Sequence, residues 1–497
     1  MLTRRLGILV SLVVLLSLVG YAQTPGAQMP GGQQQSMKGV VIKGKAPVSD
    51  EILKVKLPRP QEVDLPNGIH LMVLEDHRTP QINLQVQIRG AGGYYDPADL
   101  PGLAGFTASM MMEGTTTRNT QQIAREQETM ASNVSVGTSL SSESGSLSVY
   151  SLAANFDKTF DLAADILLNP TFPEEELARF KARQKASLLQ VRAIPGFLAQ
   201  ERYGRVIYAD HPASRAMPTP DAIDKTTRDA MVAFHKSRYV PDEAIVAIVG
   251  DISFADARKK VEAKLGGWKK AGVSFPPIKD PDAMGPSKIY LVDRPNSVQT
   301  SLIVGTQAIN RTDPDYDVLQ ILNAVIGGGP TGRLFLNLRE DKGWTYGAYS
   351  GFNGSRRYRG DWSASTEIKG DVTEQAVGEI LNELNLTRTQ PVPDKELTAK
   401  KRSAVASFAL SLESPNGIMS RYIESYIYKL PADYWDKYPE RVMAVGADQV
   451  QAAAKKYLDA SRLQIVAVGD GKKIGEGLKK YGTVVVYDTE GKVKAGS

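Results

Sequence analysis

Apolar positions follow two different periods along this chain. In residues 244–249 every side chain is apolar and Gly250 closes the run, which is typical of a strand buried on both faces. In residues 253–265, Ala257, Val261 and Leu265 recur at every fourth position and therefore share one face of a helix. Strand-like and helix-like stretches of these two kinds alternate along the chain. The pattern predicts a mixed α+β fold.

The strand-like run at 244–249 returns later in the chain. Residues 463–470 repeat the apolar run and its closing Gly-Asp pair 219 positions further on. A Gln-x-x-Leu motif that begins at Gln81 has a counterpart that begins at Gln299. Because the two offsets are nearly equal, we predict two homologous halves of about 220 residues each.

Length and proline placement suggest the limits of these halves. A chain of 497 residues is longer than one hydrophobic core commonly serves. Prolines at 276, 277, 281 and 286 oppose regular structure between the halves. We therefore predict an N-terminal domain over 51–272, a linker over 273–287 and a C-terminal domain over 288–490.

The beginning of the chain is typical of an exported protein. Residues 1–22 combine Arg4 and Arg5, an apolar run over 6–19 and a small-residue exit ending at Ala22, which predicts a cleaved signal peptide and a periplasmic or otherwise exported protein. An uncleaved anchor is the alternative. The run is shorter than the roughly 20 residues that span a bilayer, so no stable membrane span is expected after cleavage. Residues 23–50, rich in Gln, Gly and Pro, predict a disordered tether.

Charge and composition narrow the classes of function. The formal net charge of +5 is small for this length, so nucleic-acid binding is not expected. There is no cysteine, which excludes disulfides and a lipid anchor attached through cysteine. The glycine-rich stretch 327–332 lacks the Gly-Lys-Ser/Thr ending of a phosphate-binding loop.

Residues 102–115 carry the most specific motif in the chain. The stretch reads Gly-Leu-Ala-Gly-Phe-Thr-Ala-Ser-Met-Met-Met-Glu-Gly-Thr. It resembles the zinc helix of the pitrilysin/insulinase-type, mitochondrial-processing-peptidase-like metallopeptidases, which carry a His-x-x-Glu-His motif in the same frame. Two histidines four apart on a helix can hold one zinc ion, and the glutamate beside them activates water. In this chain Gly105, Ala108 and Ser109 stand at those three positions, and none can act as a normal zinc ligand or base.

The rest of a zinc site is missing from the sequence as well. By the resemblance, a third ligand, a glutamate, is expected near residues 184–186, yet no glutamate lies between Glu176 and Glu201. The chain has only four histidines, and no two of them share a short spacing; they are His70, His77, His211 and His235. We expect no metal and no cofactor in this chain.

A second motif falls in the C-terminal half. Residues 327–335 and 338–347 resemble the region in which active members of the family carry an arginine and a tyrosine that hold the substrate carbonyl, and Arg339 and Tyr346 match that pair in residue type and spacing. By the resemblance they are the substrate-binding residues. The alternative is structural: Arg339 caps a helix end and Tyr346 packs at the start of a strand.

The resemblance also implies an edge strand, in the 133–149 region, that pairs with the substrate backbone. In this chain the side chains of that segment are mostly polar and small. The alternative is an ordinary exposed strand. No binding residue is assigned in it.

The resemblance extends over both halves and implies two α/β-roll domains, which form one half of a clamshell around an extended peptide. An erased metal site beside a preserved Arg/Tyr pair predicts an exported, non-catalytic subunit of a two-chain zinc metallopeptidase. Its partner would be a homologous, zinc-motif-bearing subunit in a heterodimer, and the zinc would lie in that partner. The alternative is a purely structural or peptide-binding homologue, comparable to the core subunits of the respiratory cytochrome complex. An independent enzyme has little support, because no nucleophile triad or paired acidic signature stands out.

Overall fold

The computed structural model describes residues 51–494 except Ser274 and Pro277. The predicted signal peptide over 1–22 and the predicted tether over 23–50 lie outside the described residues. Within the described part of the chain, no helix is long and apolar enough to cross a membrane.

The first half builds a six-stranded mixed sheet in the order β1-β2-β6-β3-β5-β4. Its strands are β1 (Gln61–Asp64), β2 (His70–Glu75), β3 (Gln81–Arg89), β4 (Asn133–Gly137), β5 (Ser144–Leu152) and β6 (Ala244–Gly250). The β2–β6 pair is parallel and the other pairs are antiparallel. Its helices are α1 (Leu103–Met111), α2 (Thr120–Thr129), α3 (Phe156–Leu168), α4 (Glu174–Arg192), α5 (Pro195–Tyr208), α6 (Pro220–Lys225), α7 (Arg228–Arg238) and α8 (Phe254–Leu265).

The second half repeats this plan, with the sheet order β12-β7-β11-β8-β10-β9. Its strands are β7 (Ile289–Asp293), β8 (Gln299–Gln307), β9 (Thr345–Phe352), β10 (Asp361–Lys369), β11 (Gln464–Gly469) and β12 (Val484–Tyr487). Its helices are α9 (Tyr316–Ile326), α10 (Arg333–Phe335), α11 (Thr373–Thr389), α12 (Asp394–Ser411), α13 (Pro415–Tyr428), α14 (Tyr438–Ala444), α15 (Ala447–Tyr457) and α16 (Gly471–Leu478). After α10 the chain continues as a π-helix, Leu336–Asp341.

The strand registers confirm the internal repeat residue by residue. In the first sheet Leu84 on β3 lies opposite Ile248 on β6. In the second sheet Leu302 on β8 lies opposite Ala467 on β11. The two motifs that revealed the repeat in the sequence are thus neighbouring strands at the centre of each sheet. The outermost strand differs: β1 is antiparallel to β2, whereas β12 reaches β7 from the C-terminal end and is parallel to it.

Each half contributes one helix to the other half. Helix α5 of the first half packs on β8 and β11 of the second sheet, where Leu198, Tyr203 and Ile207 share a buried cluster with Ile303 and Val466. The equivalent helix of the second half, α13, packs on β6 of the first sheet through a second buried cluster. This exchange covers the outer face of both central strands, so every residue of β6 and β11 is buried. Residues 51–494 accordingly belong to one compact unit.

Candidate functional site

Helix α1 carries the positions of the absent zinc motif, and its start is fixed by a buried carboxylate. Gly102 adopts φ +106 just before the helix, a left-handed conformation that favours glycine. The Asp96 carboxylate accepts hydrogen bonds from the Gly102 and Ala104 amides at 2.7 and 2.8 Å. Burial raises the pKa of Asp96 to about 6, although these two hydrogen bonds oppose the rise. The carboxylate thus satisfies amides that the helix start would otherwise leave unpaired.

The side chains of α1 do not fit a zinc ion. Gly105 and Ser109 lie one turn apart and are partly exposed, whereas Ala108 is buried. A Cβ atom at position 105 would meet nothing within 4 Å, so a larger side chain has room there. Positions 105 and 109 therefore keep the spacing of a ligand pair, but neither holds an imidazole or a carboxylate that could bind a cation.

Helix α4, where the third ligand is expected, contacts α1. The Phe106 and Phe180 rings meet edge to face with their centroids 5.3 Å apart. One turn beyond Phe180, residues 184–186 read Gln-Lys-Ala and offer no carboxylate. Over the described residues, no group of three or more His, Asp or Glu side chains is arranged to hold a metal ion.

The four histidines lie in separate environments. His70 is buried and stacks on Tyr426, with 3.9 Å between ring centroids. His77 lies 2.7 Å from an Asp251 carboxylate oxygen. The ring of His211 contacts the Lys279 carbonyl, and that of His235 contacts the Leu167 carbonyl. Burial lowers the pKa of both His211 and His235.

Arg339 and Tyr346 are brought together at the free edge of the second sheet. Arg339 lies on the π-helix, and Tyr346 is the second residue of β9, the edge strand. The Arg339 Nε donates a hydrogen bond to the Tyr346 backbone carbonyl at 3.0 Å, and its Nη1 contacts Glu340. The Tyr346 side chain is 78% exposed, so its phenol is open to a ligand.

Aromatic side chains surround this pair. The Phe335 ring lies 5.1 Å from the Arg339 guanidinium carbon and 5.5 Å from the Tyr349 ring. A register shift between β9 and β10 near Thr366 changes the direction of the strand beside Tyr346. We call Phe335, Arg339, Tyr346 and Tyr349 the aromatic edge. It presents a cation and two exposed phenols at an open strand edge, over the buried Phe335 ring.

Sequence reasoning missed three parts of this arrangement. It did not predict the π-helix, a rare element that often occurs at functional sites and that here places Arg339 beside β9. It assigned no role to Tyr349 or to Phe335, whose only signal was proximity to the Arg/Tyr motif. It also overlooked Asp96, which holds α1 from outside the motif.

The corresponding edge of the first sheet is β4. Its outer side is already partly occupied, because the Val134 amide donates to the Gln127 side-chain oxygen at 2.7 Å. The exposed residues of β4 are polar, Asn133 and Ser135 among them. This edge therefore offers fewer free backbone groups to a peptide than its length suggests.

Two repeated α/β domains, the first with a helix in the frame of the zinc motif, form a metallopeptidase-like architecture. The family profile described as Insulinase (Peptidase family M16) matches residues 71–219, and the profile described as Peptidase M16 inactive domain matches residues 225–404. The chain belongs to the insulinase family of peptidases.

Curated relatives cover most of the described chain. YmxG of Bacillus subtilis, described as an uncharacterized zinc protease, is 24% identical over 392 residues, which cover 78% of this chain and 93% of the relative. ML0855 of Mycobacterium leprae carries the same description and is 23% identical over 405 residues, which cover 80% of this chain and 88% of the relative.

Solved structures share the fold. A crystal structure of a peptidase M16 inactive domain from Pseudomonas fluorescens superposes with a TM-score of 0.76 at 27% identity, covering 82% of this chain and 98% of that one. A protease from Helicobacter pylori also superposes with a TM-score of 0.76, covering 83% of this chain and 100% of that one. At 17% identity, that second likeness concerns the fold alone.

Proposed function

We propose that this chain is the exported, non-catalytic subunit of a two-chain zinc metallopeptidase, and that it supplies Arg339 and Tyr346 to the active site of a zinc-bearing homologous partner. The proposal rests on a contrast between two parts of this chain, the ligand positions on α1 and the aromatic edge. The ligand positions on α1 hold Gly105 and Ser109, while the aromatic edge keeps its cation and its phenols accessible. The chain alone is inactive in this proposal.

The chemistry of the pair supports this role. Arg339 keeps Nη2 without a hydrogen-bond partner among the described residues, while Nε is fixed by the Tyr346 carbonyl. A guanidinium held in this way and an exposed phenol donate hydrogen bonds to a peptide carbonyl and to the oxyanion that develops when it is attacked. Tyr349, which is exposed, adds surface for the side chains of an extended peptide.

The proposal includes an exported location, a partner subunit and a class of substrate. The N-terminal sequence pattern supports a periplasmic or otherwise exported location. The partner is a homologous subunit that carries the intact His-x-x-Glu-His motif and its zinc, and the two chains form a heterodimer. The substrate class is extended peptides, since an open strand edge recognises backbone groups rather than a folded surface.

The test is kinetic and uses the reconstituted pair. Tyr346→Phe and Arg339→Ala should each lower kcat/KM for peptide hydrolysis by roughly ten- to a thousandfold, the scale seen when one oxyanion donor is lost. Tyr150→Phe is the matched control, because it removes an exposed phenol on β5 of the first sheet, outside the aromatic edge, and it should change kcat/KM little. Unchanged kinetics in both test variants would remove the pair from the active site.

A purely structural or peptide-binding homologue is the second candidate, and one contact favours it. The Arg339 guanidinium already contacts Glu340 and the Tyr346 carbonyl within its own chain, which is what a structural arginine does. In that case Arg339→Ala would lower the thermal stability of the chain and leave the partner's turnover unchanged.

A further inference from the structure

A large cavity lies between the two halves, away from α1. It has a volume of about 950 Å³ and is lined by Arg89 of β3, by the loop between β4 and β5, by the loop between β9 and β10, and by the end of α13. The two loops occupy equivalent positions in the repeat. The cavity opens to solvent beside Tyr426, a lining residue that is exposed.

Three guanidinium groups line this cavity, and two of them are already paired. The Arg89 Nη1 donates to Glu243 at 2.6 Å, and the Arg357 Nε lies 3.1 Å from a Glu143 oxygen. Arg356 has no carboxylate partner among the described residues: its Nη1 donates to the Tyr358 hydroxyl. Nε and Nη2 of Arg356 therefore remain available.

The charges of the lining do not cancel. Arg89, Arg356 and Arg357 face two carboxylates, Glu143 and Glu243, which leaves one positive charge in excess. At the rim, Lys429 offsets Asp242, which accepts hydrogen bonds from two backbone amides.

Another carboxylate near Arg356, that of Asp361, does not form an ion pair with it. Asp361 is buried and accepts hydrogen bonds from three neutral donors, the hydroxyls of Tyr203 and Tyr208 and the Asn353 amide. No hydrogen bond joins Asp361 to Arg356 among the described residues. The Arg356 guanidinium can therefore bind one additional anion.

We propose that this cavity binds the free C-terminal carboxylate of an extended peptide through Arg356. A guanidinium matches the planar geometry of a carboxylate with two parallel hydrogen bonds, and a single excess charge suits a monoanion. The serines of the β4–β5 loop and Asn353 offer partners for peptide amides, while Tyr426 and Phe352 offer apolar surface. The volume is in the range of sites that enclose small organic ligands. The choice of a peptide as the carrier of the carboxylate rests on the proposed function.

The experiment measures binding by titration calorimetry to the purified chain without a partner. The probes are acetyl-Ala-Ala-Ala as the free acid, the same peptide as its C-terminal amide, and inorganic phosphate. The free acid should bind at least about tenfold more tightly than the amide, which is the scale of one charge-assisted hydrogen bond. Phosphate should bind more weakly than the free acid.

Two substitutions should move this affinity in opposite directions. Arg356→Gln should remove the preference for the free acid, whereas Arg125→Gln, an equal charge change at an exposed position on α2, should preserve it. Glu143→Gln should tighten free-acid binding, because it releases Arg357 from its carboxylate partner. General damage to the fold would weaken binding in every variant and could not produce this gain.

Equal binding of the acid and the amide would overturn the proposal, as would a preference that survives Arg356→Gln. Tighter binding of phosphate than of the free acid would also overturn it, since the site would then be a general anion site. The result of this binding experiment is independent of the result of the hydrolysis experiment that tests the proposed function. Acid-selective binding by a chain that never supports hydrolysis would leave this site standing alone, and hydrolysis without acid-selective binding would remove only this site.

Discussion

At the residue scale, the helix in the frame of the zinc motif forms, but the side chains of a metal site are missing from it. The helix with the motif frame forms, Gly105 and Ser109 share its open stripe, and Asp96 holds its start. The sequence was sufficient to predict which ligands are missing, because that question concerns residue types alone. It could not predict the support by Asp96 or the contact between Arg339 and the Tyr346 carbonyl, because both depend on where the chain folds back.

Restoring the motif should not restore a zinc peptidase. The combined change Gly105→His, Ala108→Glu and Ser109→His supplies two ligands and a base, but the third ligand near residue 184 is still absent. Ala108 is also fully buried, so a glutamate there should lower stability. Bound-zinc analysis and peptide hydrolysis on the chain alone check this, with the two-histidine variant as the folded control. Zinc-dependent cleavage would refute it.

The buried Asp96 should make stability depend on pH. Its folded-state pKa is raised from 3.8 to about 6, so its contribution to stability is fully present below pH 3.8 and is lost as the pH rises through about 6. At about 1.4 kcal/mol per pKa unit, the unfolding free energy of the wild type relative to Asp96→Asn should fall by about 3 kcal/mol over this window. Denaturant unfolding of both proteins at matched pH values measures it. A difference that stays constant with pH would contradict it.

At the scale of helices and strands, the period of the apolar residues was the main basis of the prediction. The all-apolar run of β6 and the spaced apolar residues of α8 are local signals, and both elements form where the pattern predicts them. The exchange of α5 and α13 between the halves is not a local property, because an amphipathic helix does not encode which sheet it will cover. The π-helix before β9 was missed because its sequence also suits an α-helix.

The helix exchange predicts that a substitution in α5 destabilises the whole molecule. Leu198→Ala removes a side chain buried against the second sheet and should lower the unfolding free energy by about 2–5 kcal/mol. Leu189→Ala on α4 is the matched control, because that leucine is 75% exposed and should cost little. Urea unfolding followed by tryptophan fluorescence measures both. Equal losses would show that α5 does not hold the halves together.

At the scale of the whole molecule, the two halves are repeats that do not pack as independent units. The resemblance implied two α/β-roll domains, and the structure has two six-stranded sheets of matching order. Each sheet needs a helix from the other half to cover its central strand, so neither half buries its own core fully.

Cutting the chain between the halves should therefore leave them associated. A protease site inserted between Gly285 and Pro286, two exposed residues of the predicted linker, breaks one connection but none of the buried apolar contacts of α5 and α13. The nicked protein should elute as one species and unfold in one transition. The uncut variant, with the same insertion, is the control. Separate elution of the two fragments under native conditions would contradict this description of the fold.

The most direct test of the central claim is peptide hydrolysis, with bound-zinc analysis, by this chain, by its zinc-motif homologue from the same source, and by their mixture. The chain alone should be inert and bind no zinc, and full activity should occur, together with bound zinc, in the mixture. A mixture no more active than the homologue alone, or zinc-dependent cleavage by this chain alone, would contradict it.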